Sequence, residues 1–124
     1  MISFFLHGEP QPKGSVQGFL RGDKVIVTHT AKSKVWEESI RWQVKDYQHN
    51  LDGPLAVSLD FYLTRGKSVK RQYPAVTPDI DKLTRAVLDA LKGVIADDAR
   101  ITDLHVTKRY ATGGPGVQVI ISSD

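Results

Sequence analysis

Four aspartates bracket one short amphipathic stretch of this 124-residue chain. Asp79 and Asp81 precede it, and Asp97 and Asp98 follow it, in the segment "TPDIDKLTRAVLDALKGVIADD". Adjacent carboxylates repel one another unless a cation offsets their charge. A hard divalent ion such as Mg²⁺ does so, because it takes oxygen ligands and commonly binds one or two carboxylates together with water or phosphate. The pattern therefore favours a divalent-metal site.

Each aspartate taken alone also has an ordinary structural explanation. An aspartate before a helix can cap a free backbone N–H, acids in the first turn complement the helix dipole, and Asp81 and Arg85 have the spacing of a surface ion pair. The combination is harder to explain in this way, because Gly93 already ends the helix before Asp97 and Asp98. The sequence leaves open whether the loop that carries the second pair folds back toward the first.

The stretch immediately upstream of the first pair is basic. Residues 61–78 contain no acid and four cations, which are Arg65, Lys67, Lys70 and Arg71. This basic loop is either simply solvated or, since it runs directly into the aspartates, supplies phosphate contacts at the same edge. Lys13 and the pair Lys108–Arg109 are weaker candidates for such contacts. A net charge of +3 mildly favours an anionic partner.

Apolar spacing predicts the elements that must position these residues. Short apolar runs predict strands over Ile2–Gly8, Leu55–Leu63, residues 101–111 and residues 116–122, and a hairpin over residues 16–30 with "RGDK" as its turn. Apolar residues three and four positions apart predict helices over residues 31–48 and 79–91. With the last two strands paired across "TGGPG", this order predicts an α/β (α+β) fold in which two helices pack on a small mixed sheet.

Length and composition limit the remaining possibilities. The chain is long enough for a single domain over residues 1–124. It has no cysteine, which excludes disulfides and thiolate zinc sites. No apolar run approaches the roughly 18 residues of a membrane span, and the first residues lack the features of a signal peptide. We therefore expect a cytoplasmic protein with no membrane partner.

The segment "PDIDKLTRAVLDALKGVIADDARITDLHVTK" resembles the signature of the RusA family of Holliday-junction resolvases, which occur in bacterial and phage genomes. That signature has an aspartate, one residue, a second aspartate, an apolar helix ending in D-A-L, and a D-D pair that leads into a strand. The resemblance implies a homodimeric endodeoxyribonuclease that resolves four-way branched DNA in recombination and repair. It also implies Mg²⁺ as the cofactor, with Mn²⁺ as an alternative.

The same resemblance assigns roles to individual residues. It implies that Asp79, Asp81 and Asp98 are the essential carboxylates that hold the metal, with Asp97 as their assistant. Family members often carry an asparagine and a lysine at the places that Lys82 and Arg85 occupy here. A cation is thus kept on the exposed side of the helix. It could contact the scissile phosphate while metal ions supply the activated water.

Three other interpretations of the acidic motif were weighed. A phosphatase of the D-x-D-x-[TV] type is disfavoured, because Leu83 stands where threonine or valine is expected. A calcium loop is disfavoured because "DIDKLTRA" lacks the third oxygen ligand and the glycine at the sharp turn. The remaining alternative is a non-catalytic module that binds branched DNA and shares the fold without the chemistry.

Two tryptophans bear on the predicted homodimer. Trp36 and Trp42 lie on the first predicted helix, and six positions on a helical wheel leave them about 120° apart. They cannot share one narrow apolar stripe, so we expect Trp42 to face a partner chain.

Overall fold

The protein is described by a computed structural model. It describes residues 1–14, 17–21, 24–28, 30–47, 51 and 53–123. For the described residues between 17 and 30 it describes the backbone only. Within these ranges the elements follow the predicted order: β1 (Ile2–His7), β2 (Gln17–Arg21), β3 (Lys24–Thr28), α1 (Thr30–Val44), β4 (Leu55–Leu63), α2 (Ile80–Ala90), β5 (Ile101–Tyr110) and β6 (Gly116–Ser123). Two 3₁₀ turns, Leu91–Gly93 and Asp98–Arg100, lie between α2 and β5.

A four-stranded mixed sheet forms the centre of the fold, and the prediction of an α+β arrangement is confirmed. Its strand order is β1–β6–β4–β5, with β4 parallel to β5 and antiparallel to β6. β2 and β3 form a separate antiparallel hairpin, as predicted. The proposed turn of that hairpin falls on Gly22 and Asp23, which lie outside the described residues.

The prediction that β5 and β6 pair with each other was wrong, because β4 lies between them. A helix connects β4 to β5, and such a crossover makes the two strands parallel neighbours. The "TGGPG" loop then crosses the end of β4, where the Ala111 backbone N–H donates to the Leu63 carbonyl at 2.7 Å. Beyond the loop, Gly116 pairs with Tyr62 on the other side of β4.

The two helices and the sheet share one core. β4 alternates strictly between buried and partly buried residues, because successive side chains of a strand point to opposite faces. α1 contributes Trp36, Ile40 and Val44, and α2 contributes Leu83, Ala86, Val87 and Ala90. Ile80, predicted to belong to the buried stripe of α2, is 40% exposed because it is the first residue of the helix and projects beyond the core.

α1 is shorter than predicted. It ends at Val44, whose carbonyl accepts from the Tyr47 backbone N–H at 2.9 Å, in a turn rather than another helical turn. Tyr47, which the predicted helix over residues 31–48 includes, lies beyond the end of α1 and packs its ring against Phe4 with centroids 4.8 Å apart. The predicted end at Gln48 lies outside the described residues.

Candidate active site

The first aspartate pair lies at the start of α2. Asp79 is the N-cap residue, with an extended backbone (φ −70°, ψ 139°), yet its side chain makes no capping hydrogen bond. Its carboxylate lies 3.6 Å from the Lys82 ammonium, and the side chain is 53% exposed. Asp81, in the first turn, is also exposed. Helix capping therefore does not account for Asp79, and both carboxylates can be reached from solvent.

The second pair follows the C-terminal end of α2, and its two members differ. Asp97 caps the 3₁₀ turn through its Oδ1, which accepts from the Ala99 backbone N–H at 2.9 Å. Arg100 fixes the same turn by donating to the Gly53 carbonyl at 3.0 Å. The Asp98 side chain is exposed and has no hydrogen bond or ion pair within the described ranges. The carboxylate of Asp97 thus has a structural partner, whereas that of Asp98 is available to bind a ligand.

The length of α2 separates the two pairs. The helix has 11 residues, which is about 16 Å at 1.5 Å per residue. The 3₁₀ turn after it has 3 residues and adds about 6 Å. The chain between α2 and the second pair does not retrace this distance, because Val94 and Ile95 are buried in the core at its far end.

β5 gives an independent measure of the same separation. Near its end, the Lys108 ammonium donates to the Pro78 carbonyl at 2.9 Å, directly beside Asp79. Asp98 lies just before the first residue of the strand, Ile101. The strand from Ile101 to Lys108 spans about 23 Å at 3.3 Å per residue. Both measures place Asp79 and Asp98 of one chain about 20 Å apart.

The separation decides what a single chain can do with a metal ion. Among the residues that the structure describes, no group of three histidine or acidic side chains is placed to hold one ion. The carboxylates of Asp79 and Asp81 suit Mg²⁺ chemically, since this ion prefers hard oxygen ligands and uses one or two protein carboxylates. Asp98, which the sequence predicts as the third carboxylate, is therefore not grouped with Asp79 and Asp81 around one ion in the described part of this chain.

The two cations predicted to act beside the carboxylates are both exposed on α2. Lys82 partly offsets the charge of Asp79. Arg85 does not form the predicted surface pair with Asp81 in the described part of the chain, and Asp89 pairs with Lys13 instead of Arg85, so the Arg85 guanidinium is available. Lys82 and Arg85 therefore extend from the turn that follows the first pair.

Lys13, predicted as a weak DNA contact, has internal partners. Its ammonium lies 2.7 Å from Glu37 Oε1 of α1 and 3.3 Å from Asp89 Oδ2 of α2. Its backbone N–H donates to the Lys82 carbonyl at 2.9 Å. The hydrogen bond to Glu37 raises the pKa of Lys13 above its usual value of 10.5; burial opposes this rise, and the hydrogen bond to Asp89 adds to it. Lys13 thus ties α1 to α2 and to the turn that carries the aspartates.

The four cations of the basic loop divide into two classes. Arg65 donates to the carbonyls of Val69 and Arg71, at 3.1 and 2.9 Å, and so fixes the shape of the loop. Arg71 donates to the Tyr110 hydroxyl at 2.8 Å. Lys67 and Lys70 are exposed and have no such partner in the described chain. These two lysines are the cations of the loop that remain free to contact phosphate.

The end of β5 contains residues whose importance the sequence did not reveal. Lys108 donates to the carbonyls of Val76 and Pro78, at 2.7 and 2.9 Å. The guanidinium of Arg109 lies 5.1 Å from the centre of the Tyr73 ring. Lys108 and Arg109 were predicted only as weak phosphate contacts. The strand–helix–strand order of β4, α2 and β5 could have indicated their position. In such a unit the end of the second strand lies beside the start of the helix.

The outer surface of α1 agrees with the expectation for the tryptophans. Trp36 is 4% exposed and belongs to the core, whereas Trp42 is 69% exposed. The Lys45 ammonium lies 3.6 Å from the centre of the Trp42 ring. An exposed tryptophan is compatible with a contact to a second chain, and the homodimer remains a proposal.

A comparison with protein families identifies the chain. The family model described as "Endodeoxyribonuclease RusA" matches residues 8–122. The chain belongs to the RusA family. The RusA match includes the basic loop, both aspartate pairs, α2 and β5. RusA membership implies an endodeoxyribonuclease that acts on branched DNA, and RusA resolvases generally depend on a divalent metal.

A curated relative of this RusA-family chain extends over nearly its whole length. The chain is similar to "Uncharacterized protein YqaN" of Bacillus subtilis (strain 168), with 30% identity over 135 residues, which covers 97% of this chain and 94% of that protein. In the part of the chain that the structure describes, no helix is both long and apolar enough to cross a membrane.

Proposed function

We propose that this chain is a Mg²⁺-dependent, structure-selective endodeoxyribonuclease that resolves four-way DNA junctions by phosphodiester hydrolysis. It would act as a homodimer in recombination and repair, in the cytoplasm of a bacterium or of a phage-infected cell. One observation carries the proposal. The acidic motif of the RusA family is present as two pairs of exposed carboxylates, one at each end of a helix whose apolar face is buried. A basic loop leads into the first pair.

The chemistry follows from the positions of the side chains. Asp79 and Asp81 would hold the metal, which supplies an activated water and neutralises charge on the phosphate. Lys82 and Arg85 are exposed on α2 close to Asp79 and Asp81, and they would contact the scissile phosphate and stabilise its developing charge. Lys67 and Lys70, the loop cations without a partner in the described chain, would bind phosphates that flank the cleaved bond.

The separation of about 20 Å between Asp79 and Asp98 gives the homodimer a specific role. Two oxygens that bind one Mg²⁺ lie at most about 4 Å apart, because each Mg²⁺–oxygen bond is about 2.1 Å long. Asp98 can therefore complete the site of Asp79 and Asp81 only on a second copy of the chain. The proposed site is composite: one copy supplies the first pair and the other supplies Asp98.

A cleavage assay on a mobile four-way junction tests the proposed function. We expect the unmodified protein to cut the junction with Mg²⁺ or Mn²⁺, to stop in EDTA, and to leave linear duplex intact. Asp79→Asn and Asp98→Asn should abolish cleavage but keep or tighten junction binding, because each removes a negative charge near phosphate.

The possible outcomes separate the two interpretations that remain. Full cleavage by either aspartate variant would contradict the site assignment. The unmodified protein could instead bind the junction without metal and fail to cut it under every metal condition. That result would support the alternative, a non-catalytic module that binds branched DNA.

A further inference from the structure

The turn before α2 is held by the last residues of β5. Residues 76–78 lie outside the helices and strands, and two of their three carbonyls accept from the Lys108 ammonium, at 2.7 and 2.9 Å. Hydrogen bonds from an ionised donor are shorter and about twice as strong as those between neutral groups. An ammonium has three protons to donate, so these two contacts commit most of its capacity inside the protein.

Lys108 is attached to a rigid part of the molecule. It pairs with Phe61 of β4, a fully buried residue at the centre of the sheet. Its ammonium is therefore a fixed point, whereas residues 64–79 form a long connection with no helix or strand of their own. A contact from the sheet to this connection limits its conformations far more than a contact within the connection itself.

The other contacts from β5 to this connection lie farther from the aspartates. Tyr110 accepts from Arg71, and Arg109 covers Tyr73. Of the three residues at the end of β5, Lys108 is the one that binds the residues next to Asp79. On the other side of the pair, the backbone N–H of Lys13, in the segment between β1 and β2, donates to the Lys82 carbonyl.

The start of α2 needs such an external contact. An N-cap aspartate ordinarily accepts from a backbone N–H of the first turn and so stabilises its own helix start. The Asp79 side chain makes no such bond, which leaves its carboxylate exposed and its backbone without that local support. The hydrogen bonds of Lys108 to two carbonyls of the preceding turn do not satisfy the N–H groups that a cap would bind, but they hold the backbone at the start of the helix from outside.

We propose that Lys108 is a positioning residue: it fixes the backbone of residues 76–78 and thereby sets where Asp79 and Asp81 present their carboxylates. This inference rests on the proposed function, because it assigns Lys108 to the geometry of the same site. Lys108 acts through the backbone and touches neither metal nor DNA. Loss of its two hydrogen bonds should therefore slow cleavage without weakening junction binding.

Lys108→Met in the 124-residue chain tests the inference, because methionine is an unbranched side chain one atom shorter than lysine and has no donor. Single-turnover cleavage with Mg²⁺ should slow by about 10- to 100-fold, which is the order expected when reacting groups are displaced by about 1 Å. The dissociation constant for the junction should change by less than about twofold, and the salt dependence of binding should stay the same. Lys108→Arg, which keeps a charged donor, should recover part of the rate.

Amide hydrogen exchange without DNA or metal gives a second measurement that does not depend on cleavage. The Leu83 N–H bonds to the Asp79 carbonyl at 3.0 Å and is the first hydrogen-bonded amide of α2. Its exchange should accelerate about tenfold in Lys108→Met, while the core strands are unchanged. If the unmodified protein does not cut junctions, the proposed function fails, and this exchange still decides whether Lys108 fixes the start of α2.

Lys92→Met is the matched control, because it makes the same substitution at an exposed lysine beyond the other end of α2. It should change neither cleavage nor exchange at Leu83. If Lys108→Met does not fold, Lys108→Gln takes its place, because glutamine lacks the reach to both carbonyls. Unchanged exchange at Leu83 with an unchanged rate would overturn the proposal. Weaker junction binding with a salt slope lowered by about one unit would also overturn it and make Lys108 a phosphate contact.

Discussion

Subunits that carry Asp79→Asn and subunits that carry Asp98→Asn should recover cleavage when they are mixed, although neither variant cuts alone. In a mixed dimer with composite sites, one site combines both substitutions and the other contains neither. The basis is the separation of about 20 Å within one chain, roughly five times the 4 Å that two ligands of one Mg²⁺ allow. A site within one chain would leave each subunit of the mixed dimer with a defect.

The size of the recovery follows from random assembly. Equal amounts of the two variants give half mixed dimers, and each has one intact site of two, so about a quarter of the sites of the unmodified dimer are restored. Each mixed dimer can cut only one strand. The product on a four-way junction should therefore be a single nick rather than two resolved duplexes, which a denaturing gel and a native gel distinguish.

The matched control for this experiment mixes Asp79→Asn with Asp81→Asn. These two residues belong to the same end of α2 and are supplied by the same copy, so a mixed dimer has no intact site and should not cut. The two variants must first be allowed to exchange subunits, for example by refolding them together from denaturant. Cleavage by the control mixture, or no cleavage by Asp79→Asn with Asp98→Asn after verified exchange, would refute the composite site.

Two further predictions concern the basic residues. Lys67→Ala with Lys70→Ala should weaken binding to all DNA substrates and lower the slope of log affinity against log salt by about two units, and an unchanged slope would show that the loop is merely solvated. Lys13→Met should lower stability by about 1–2 kcal/mol and the melting temperature by roughly 4–8 °C, because it leaves the Glu37 carboxylate, whose side chain is 9% exposed, without its donor. Since the pKa of Lys13 is raised on folding, its contribution is complete below pH 10.5 and is lost as the pH rises through the higher folded value. The difference in melting temperature between the unmodified protein and Lys13→Met should therefore stay constant from pH 8 to about pH 10 and shrink above pH 10.5, and a difference that grows above pH 10.5 would contradict this assignment.

The order of elements and most of the buried positions were predictable because they depend on local periodicity. The strict alternation of β4 and the apolar stripe of α2 follow from side-chain spacing alone. The pairing of strands does not. The "TGGPG" loop is short enough for a hairpin, and the sequence does not show that β4 lies between β5 and β6. The helix between β4 and β5 was the better guide to pairing, because it requires a parallel crossover.

The motif singles out the acidic residues of the proposed site, but the sequence does not predict their arrangement. A helical wheel gives the angle of a side chain and ignores the distance along the axis. Whether the chain after α2 returns toward Asp79 depends on tertiary packing, and the burial of Val94 and Ile95 holds it at the far end. The residue that does return to Asp79 is Lys108, which follows from the direction of β5 rather than from any local pattern.

This arrangement changes the role that a dimer has in the proposed reaction. If one chain held a complete site, a monomer could make a single nick and a dimer would add only the symmetry that matches two strands of a junction. If Asp98 completes the proposed site on the other copy, because it lies about 20 Å from Asp79 in its own chain, a monomer has no complete site and both sites form at the moment of association. Because a twofold contact is made of the same surface on both copies, it completes the two sites together. The proposed dimer therefore both orients the two cuts and prevents an isolated chain from cutting any strand.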